Sequence, residues 1–115
     1  MVNIAVRSLP DTGINEVLER GGHTVVYTQV ASPGEDSGKV LDAILAQSPE
    51  VIVIEGALGQ MELLKAYTAR TERPPLVALT RIPDSDRNLS AHTTHILVGL
   101  EGRERVAQYI TDLLK

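Results

Sequence analysis

The chain has 115 residues, 43% apolar and 23% charged, with a net charge of −4, no cysteine, no Phe and no Trp. That length and apolar share fit one domain with an aliphatic core and exclude disorder, disulfides and thiolate chemistry. An acidic chain whose only aromatics are three Tyr is also a poor match for nucleic acid, which needs a cationic surface and stacking platforms.

Residues 2–6 form the first apolar run and predict a strand. Ile14, Val17 and Leu18 follow at helical spacing, with Thr12 as a candidate N-cap and Gly21-Gly22 as a stop. Residues 24–30 predict a second strand, and 31–36 a flexible loop. Val40, Leu41, Ile44 and Leu45 form the second helical stripe, between Ser37 and Pro49. Residues 51–54 predict the third strand, and Leu63, Leu64 and Tyr67 the helix after it. Residues 76–79 predict the fourth strand. The connection at 82–94 carries Pro83, Asp84, Ser85, Asp86 and Asn88 with little apolar content, so a short or poorly formed helix in a mobile segment is expected there. Residues 96–98 predict the fifth strand, and Val106, Ile110, Leu113 and Leu114 the last helix.

Several of these runs are continuous Val, Ile, Leu or Ala without polar alternation, as in strands covered on both faces. Strict alternation of strand and helix then predicts a three-layer α/β domain over 1–115: a flavodoxin-like, doubly wound parallel sheet of order 2-1-3-4-5. The functional crevice of such a sheet lies at the carboxyl ends of its strands. The residues expected there are Arg7, Ser8, Glu55, Gly56, Thr80, Arg81 and Gly99. No apolar run approaches the ~18 residues of a membrane span, and the N-terminus lacks a signal-peptide apolar region, so a cytoplasmic domain without a membrane partner is expected.

The run 49–59, Pro-Glu-Val-Ile-Val-Ile-Glu-Gly-Ala-Leu-Gly, resembles the segment of response-regulator receiver domains that ends in the phospho-accepting Asp. Residues 61–64, Met-Glu-Leu-Leu, resemble the receiver helix that follows. Residues 75–80, Pro-Leu-Val-Ala-Leu-Thr, are similar to the fourth receiver strand, and 103–114 to the last helix. The resemblance spans nearly the whole chain and implies a receiver-like fold without the receiver's chemistry. The Mg²⁺-binding acids are matched by Arg7 and Ser8, and the phospho-acceptor by Glu55. The phosphoryl-pairing Lys is matched by Gly99 and the aromatic switch residue by Ile96, so that Thr80 alone is retained. Such a pseudo-receiver is expected to act as a signalling or scaffolding module. It would contact a protein partner, or an attached ATPase or DNA-binding domain of a longer protein, with no catalysis and no cofactor.

Individual residues admit sharper readings. Glu55 either mimics a phosphorylated Asp, with Thr80 bonded to it, or pairs with Arg7; the pair is favoured. Arg7, Gly56 and Arg81 form a candidate anion site, the basis of an alternative function in which the crevice binds an anionic ligand. A loose likeness of 11–55 to molybdopterin-binding proteins points the same way, but the glycine motif of that family is absent. His92 and His95 have a ligand-like spacing but no third partner, so no metal is expected. His23 is expected to be exposed. Ser8 has no His to activate it. Receivers often pair through the face made by their fourth helix, fifth strand and fifth helix, which suggests a weak homodimer through Tyr109 with an apolar margin of Val106 and Ile110.

Overall fold

All five apolar runs form strands in a computed structural model that describes residues 2–9, 13–30, 34–56, 60–80 and 95–114. The elements in chain order are β1 (Asn3–Ser8), α1 (Ile14–Arg20), β2 (Thr24–Val30), α2 (Ser37–Leu45), β3 (Val51–Glu55), α3 (Met61–Thr68), β4 (Leu76–Thr80), β5 (His95–Val98) and α4 (Gly99–Leu113). The strands pair in parallel in the order β2-β1-β3-β4-β5, as expected. The anticipated helix at 82–94 lies outside the described residues, as do residues 31–33 of the loop expected at 31–36. Among the described residues, no helix is long and apolar enough to cross a membrane.

Strands β1, β3 and β4 each run further than their apolar residues, ending on Ser8, Glu55 and Thr80. A strand can carry a polar residue at its end because the ladder uses backbone groups only. Arg7 and Ser8 thus stay in register with Gln29 and Val30.

Side chains alternate across the sheet, and each face has its own core. Ala5, Ile52, Ile54, Leu76 and Ala78 pack against Val40, Leu41 and Ile44 of α2 and Leu63, Leu64 and Tyr67 of α3. Ile4, Val6, Val51, Val53, Val77 and Leu79 pack against Ile14 and Leu18 of α1 and Val106 and Ile110 of α4. The double covering explains the absence of polar alternation in these strands. Strand β2 departs from it. Ile4 pairs with Val25 and Ala5 with Tyr27, so Val26 is an extra, unpaired residue. This bulge sends Val25 to the α1–α4 core and Tyr27, two residues on, to the α2–α3 core. The strand lies at the sheet edge, is uncharged and is rich in β-branched residues, and a bulge is a common protection of such an edge against edge-to-edge pairing.

The helix ends differ from the expectation in detail. Helix α1 starts after Gly13, which has a left-handed backbone (φ 69) and no side chain to cap with; Thr12 is outside the described residues. Helix α2 is capped by Asp36, whose carboxylate accepts a hydrogen bond of 3.2 Å from the Lys39 N–H. Helix α4 begins directly after β5, earlier than Arg103. Its stripe ends at Leu113, since Leu114 is exposed. Gly21 closes α1 against α4 so tightly that a Cβ there would sit 2.3 Å from the Ala107 Cβ.

His23 is buried, contrary to expectation. It stands between the end of α1 and the start of β2 and faces α4, where its Nε2–H donates to the Ala107 carbonyl over 2.9 Å. A carbonyl only accepts, so Nε2 carries a proton, and Nδ1 is buried without a partner among the described residues.

Candidate functional site

The parallel sheet brings Arg7, Ser8, Glu55 and Thr80 to the carboxyl ends of β1, β3 and β4, all of them buried. Alternation then decides which of them share a face. Arg7 lies two residues after Ala5 and points to the α2–α3 side. Glu55 lies two residues after Val53 and points to the α1–α4 side. The pair expected between Arg7 and Glu55 is therefore not formed. Thr80, two residues after Ala78, is on the α2–α3 side as well, so the bond imagined between Glu55 and Thr80 would have to cross the sheet.

Arg7 is 4% exposed and is surrounded by acceptors from three separate segments. Its Nε donates to Gln60 Oε1 at 2.6 Å, and its Nη1 to Gln29 Oε1 at 3.0 Å and Glu35 Oε2 at 3.3 Å. Nη2 donates to Glu35 Oε1, completing a two-pronged ion pair. The amides of the two glutamines are themselves anchored: Gln60 Nε2 donates to the Glu55 carbonyl at 2.6 Å, and Gln29 Nε2 to the Tyr27 hydroxyl at 2.8 Å. Gln29, Glu35 and Gln60 were not singled out from the sequence. Gln29 was accessible to such reasoning, because it is the register partner of Arg7 on a strand whose end was predicted correctly. Glu35 and Gln60 come from the segments before α2 and α3, and no sequence signal marks them.

Glu55 has a different task. Its Oε1 accepts from the Leu9 N–H at 3.2 Å and so ties the chain leaving β1 to the end of β3. The Leu9 side chain covers Gly56, lying 3.0 Å from where a Cβ on that residue would be. Gly56 has φ 62, a conformation that glycine adopts without strain. Of the candidate anion site, Arg7 is thus paired with Glu35 and Gly56 lies beside the Leu9 side chain, while Arg81 lies outside the described residues. Gly99 is the first residue of α4 rather than the end of β5.

Among the described residues, Ser8 and the two histidines do not converge here. Ser8 Oγ makes a long contact, 3.5 Å, with the Gln29 carbonyl. His23 precedes β2 and His95 begins β5, so both lie at the opposite end of the sheet from the crevice. His95 Nδ1 is 2.9 Å from the Tyr109 hydroxyl, with the two rings edge-on; His92 is outside the described residues. Among the described residues, no cluster of three His, Cys, Asp or Glu gathers to hold a metal. The anticipated interface is also altered. Val106 and Ile110 are 0% exposed core residues and cannot meet a partner, which leaves the half-buried Tyr109.

No family model and no curated protein matches the chain. A solved structure that is similar is the isolated REC domain of RcsB from Salmonella enterica serovar Typhimurium in the apo form, at 13% identity and a TM-score of 0.65. The match covers 99% of this chain and 88% of that one. With its strand order and its helices on both faces, the chain has the flavodoxin-like, receiver-type α/β fold.

Proposed function

We propose that the chain is a non-phosphorylatable pseudo-receiver, a signalling or scaffolding module that acts by contact with a protein partner or an attached effector domain. It would carry out no catalysis and need no cofactor. The observation that carries this reading is Arg7. In receivers this end of the first strand supplies acids that hold Mg²⁺. Here it supplies a permanent cation, buried and bonded to three side chains. A guanidinium in that place repels a divalent ion, and phosphoryl transfer depends on the metal to neutralise developing charge. Glu55, in the acceptor position, already uses one oxygen to hold Leu9.

The test is to add Mg²⁺ with a small acyl-phosphate donor, or with beryllofluoride, and to record the protein mass and amide NMR spectra. The mass should not change, and Glu55 and Thr80 should show no Mg²⁺-dependent shifts. Gain of one phosphoryl group, or saturable Mg²⁺-dependent shifts at those two residues, would defeat the proposal.

A further inference from the structure

We propose that Arg7 is the floor of an oxyanion site and that Glu35 occupies it as an internal stand-in for the ligand. The ligand class is a group with two oxygens on one centre, a carboxylate or a phosphate, which enters by exchange with the Glu35 carboxylate. The inference is independent of the pseudo-receiver reading.

The geometry of the guanidinium carries the argument. Its outer edge, Nη1 and Nη2, is turned to the two oxygens of Glu35, the arrangement in which Arg binds carboxylates and phosphates. Two of its other donors are held by neutral groups, Nε by Gln60 and the second N–H of Nη1 by Gln29. Both glutamines are anchored in turn, to the Glu55 carbonyl and the Tyr27 hydroxyl. The orientation of the fork therefore rests on groups other than Glu35, and a fork held ready in this way loses little entropy when an anion arrives.

The two partners also differ in burial. The Arg7 side chain is 5% exposed and that of Glu35 29%, so Glu35 approaches from the solvent side. It stands next to Asp36, the cap of α2, outside the packed helix. It belongs to neither core, so departure of its side chain from Arg7 would uncover the fork. The nearby Glu55 carboxylate points to the opposite face of the sheet and holds Leu9, so it does not compete for the fork. The remaining groups bonded to Arg7 are uncharged amides.

The test uses inorganic phosphate and acetate as probes, titrated without Mg²⁺ at constant ionic strength into the parent chain, Glu35→Ala and the double variant Arg7→Gln/Glu35→Ala. Thermal unfolding and the Arg Nε–H NMR signals are followed, since a ligand bound only by the folded state raises its stability. The parent should respond weakly and saturably. Glu35→Ala should bind roughly tenfold tighter or more, because the probe no longer competes with a tethered carboxylate. The double variant should lose the response. A response to acetate alone marks a planar carboxylate site, and a response to phosphate a site that also accepts tetrahedral anions; either supports the proposal. If Glu35→Ala does not fold, Glu35→Gln keeps an acceptor for the fork while weakening the plug, and the same ordering is expected. The proposal is overturned if the parent shows no saturable response, if removing the Glu35 charge leaves affinity unchanged, or if the response survives without Arg7.

Discussion

Double-mutant cycles on Arg7 test the description of the crevice most directly. The structure couples Arg7 to Glu35 and separates it from Glu55. Breaking a fully buried ion pair costs about 3–5 kcal/mol, whereas exposed pairs contribute about 0.2–1 kcal/mol. Here one side chain is 5% exposed and the other 29%. The glutamines also keep part of the guanidinium bonded when Glu35 is changed. A coupling energy between Arg7→Gln and Glu35→Gln of about 2 kcal/mol follows, between those limits. Glu55→Gln keeps an oxygen for the Leu9 N–H and should cost about 1 kcal/mol by weakening a charge-assisted bond. Its coupling to Arg7 across the sheet should stay below about 0.5 kcal/mol. Urea unfolding of the parent, the three single variants and the two double variants at neutral pH supplies every term. An Arg7–Glu55 coupling equal to or larger than that of Arg7 with Glu35 would refute the assignment of faces from which the site is built.

Three further outcomes are expected. Gly21→Ala should destabilise by about 1–3 kcal/mol through overpacking against Ala107, and Ala107→Gly should recover most of the loss; equal cost in both backgrounds would show that the helix contact is not the cause. Burial pushes the Tyr67 phenol above its ordinary value of 10.0, against a smaller opposing effect of Arg73. Its proton is therefore held more tightly in the folded chain, so this contribution to stability is complete below pH 10 and is lost as pH rises beyond it. Tyr67→Phe, which also loses the 2.6 Å bond to the Pro74 carbonyl, should remove that alkaline loss, and an unchanged alkaline slope would count against it. If the chain forms a weak homodimer through the β5–α4 side, Tyr109→Glu should dissociate it in sedimentation experiments; a dimer that persists places the contact elsewhere.

Much of the fold was legible in the amino-acid order. Apolar runs bounded by turn residues identified five strands, several of them continuous enough to imply covering on both faces. The helical stripes between them implied parallel connections, and these in turn put Arg7, Ser8, Glu55 and Thr80 at one end of the sheet. That reasoning depends on hydrophobic spacing, which is a local property. The partner of Arg7 is not local. Strands that are apolar on both faces carry no alternation to reveal their phase, so nothing in 51–54 tells which face Glu55 will take relative to Arg7. The register of β1 on β3 decides it. The bulge at Val26 similarly changes the phase within one strand, which a period of two cannot foresee. Glu35 and Gln60 reach Arg7 from segments brought together only when α2 and α3 pack on the sheet. His23 is polar by type and buried by position, because Gly21 lets α4 come close enough for the Ala107 carbonyl to accept a hydrogen bond from it. Sequence spacing determined the layers and the place of the crevice; strand phase and helix packing, which are long-range, decided which charges meet inside it.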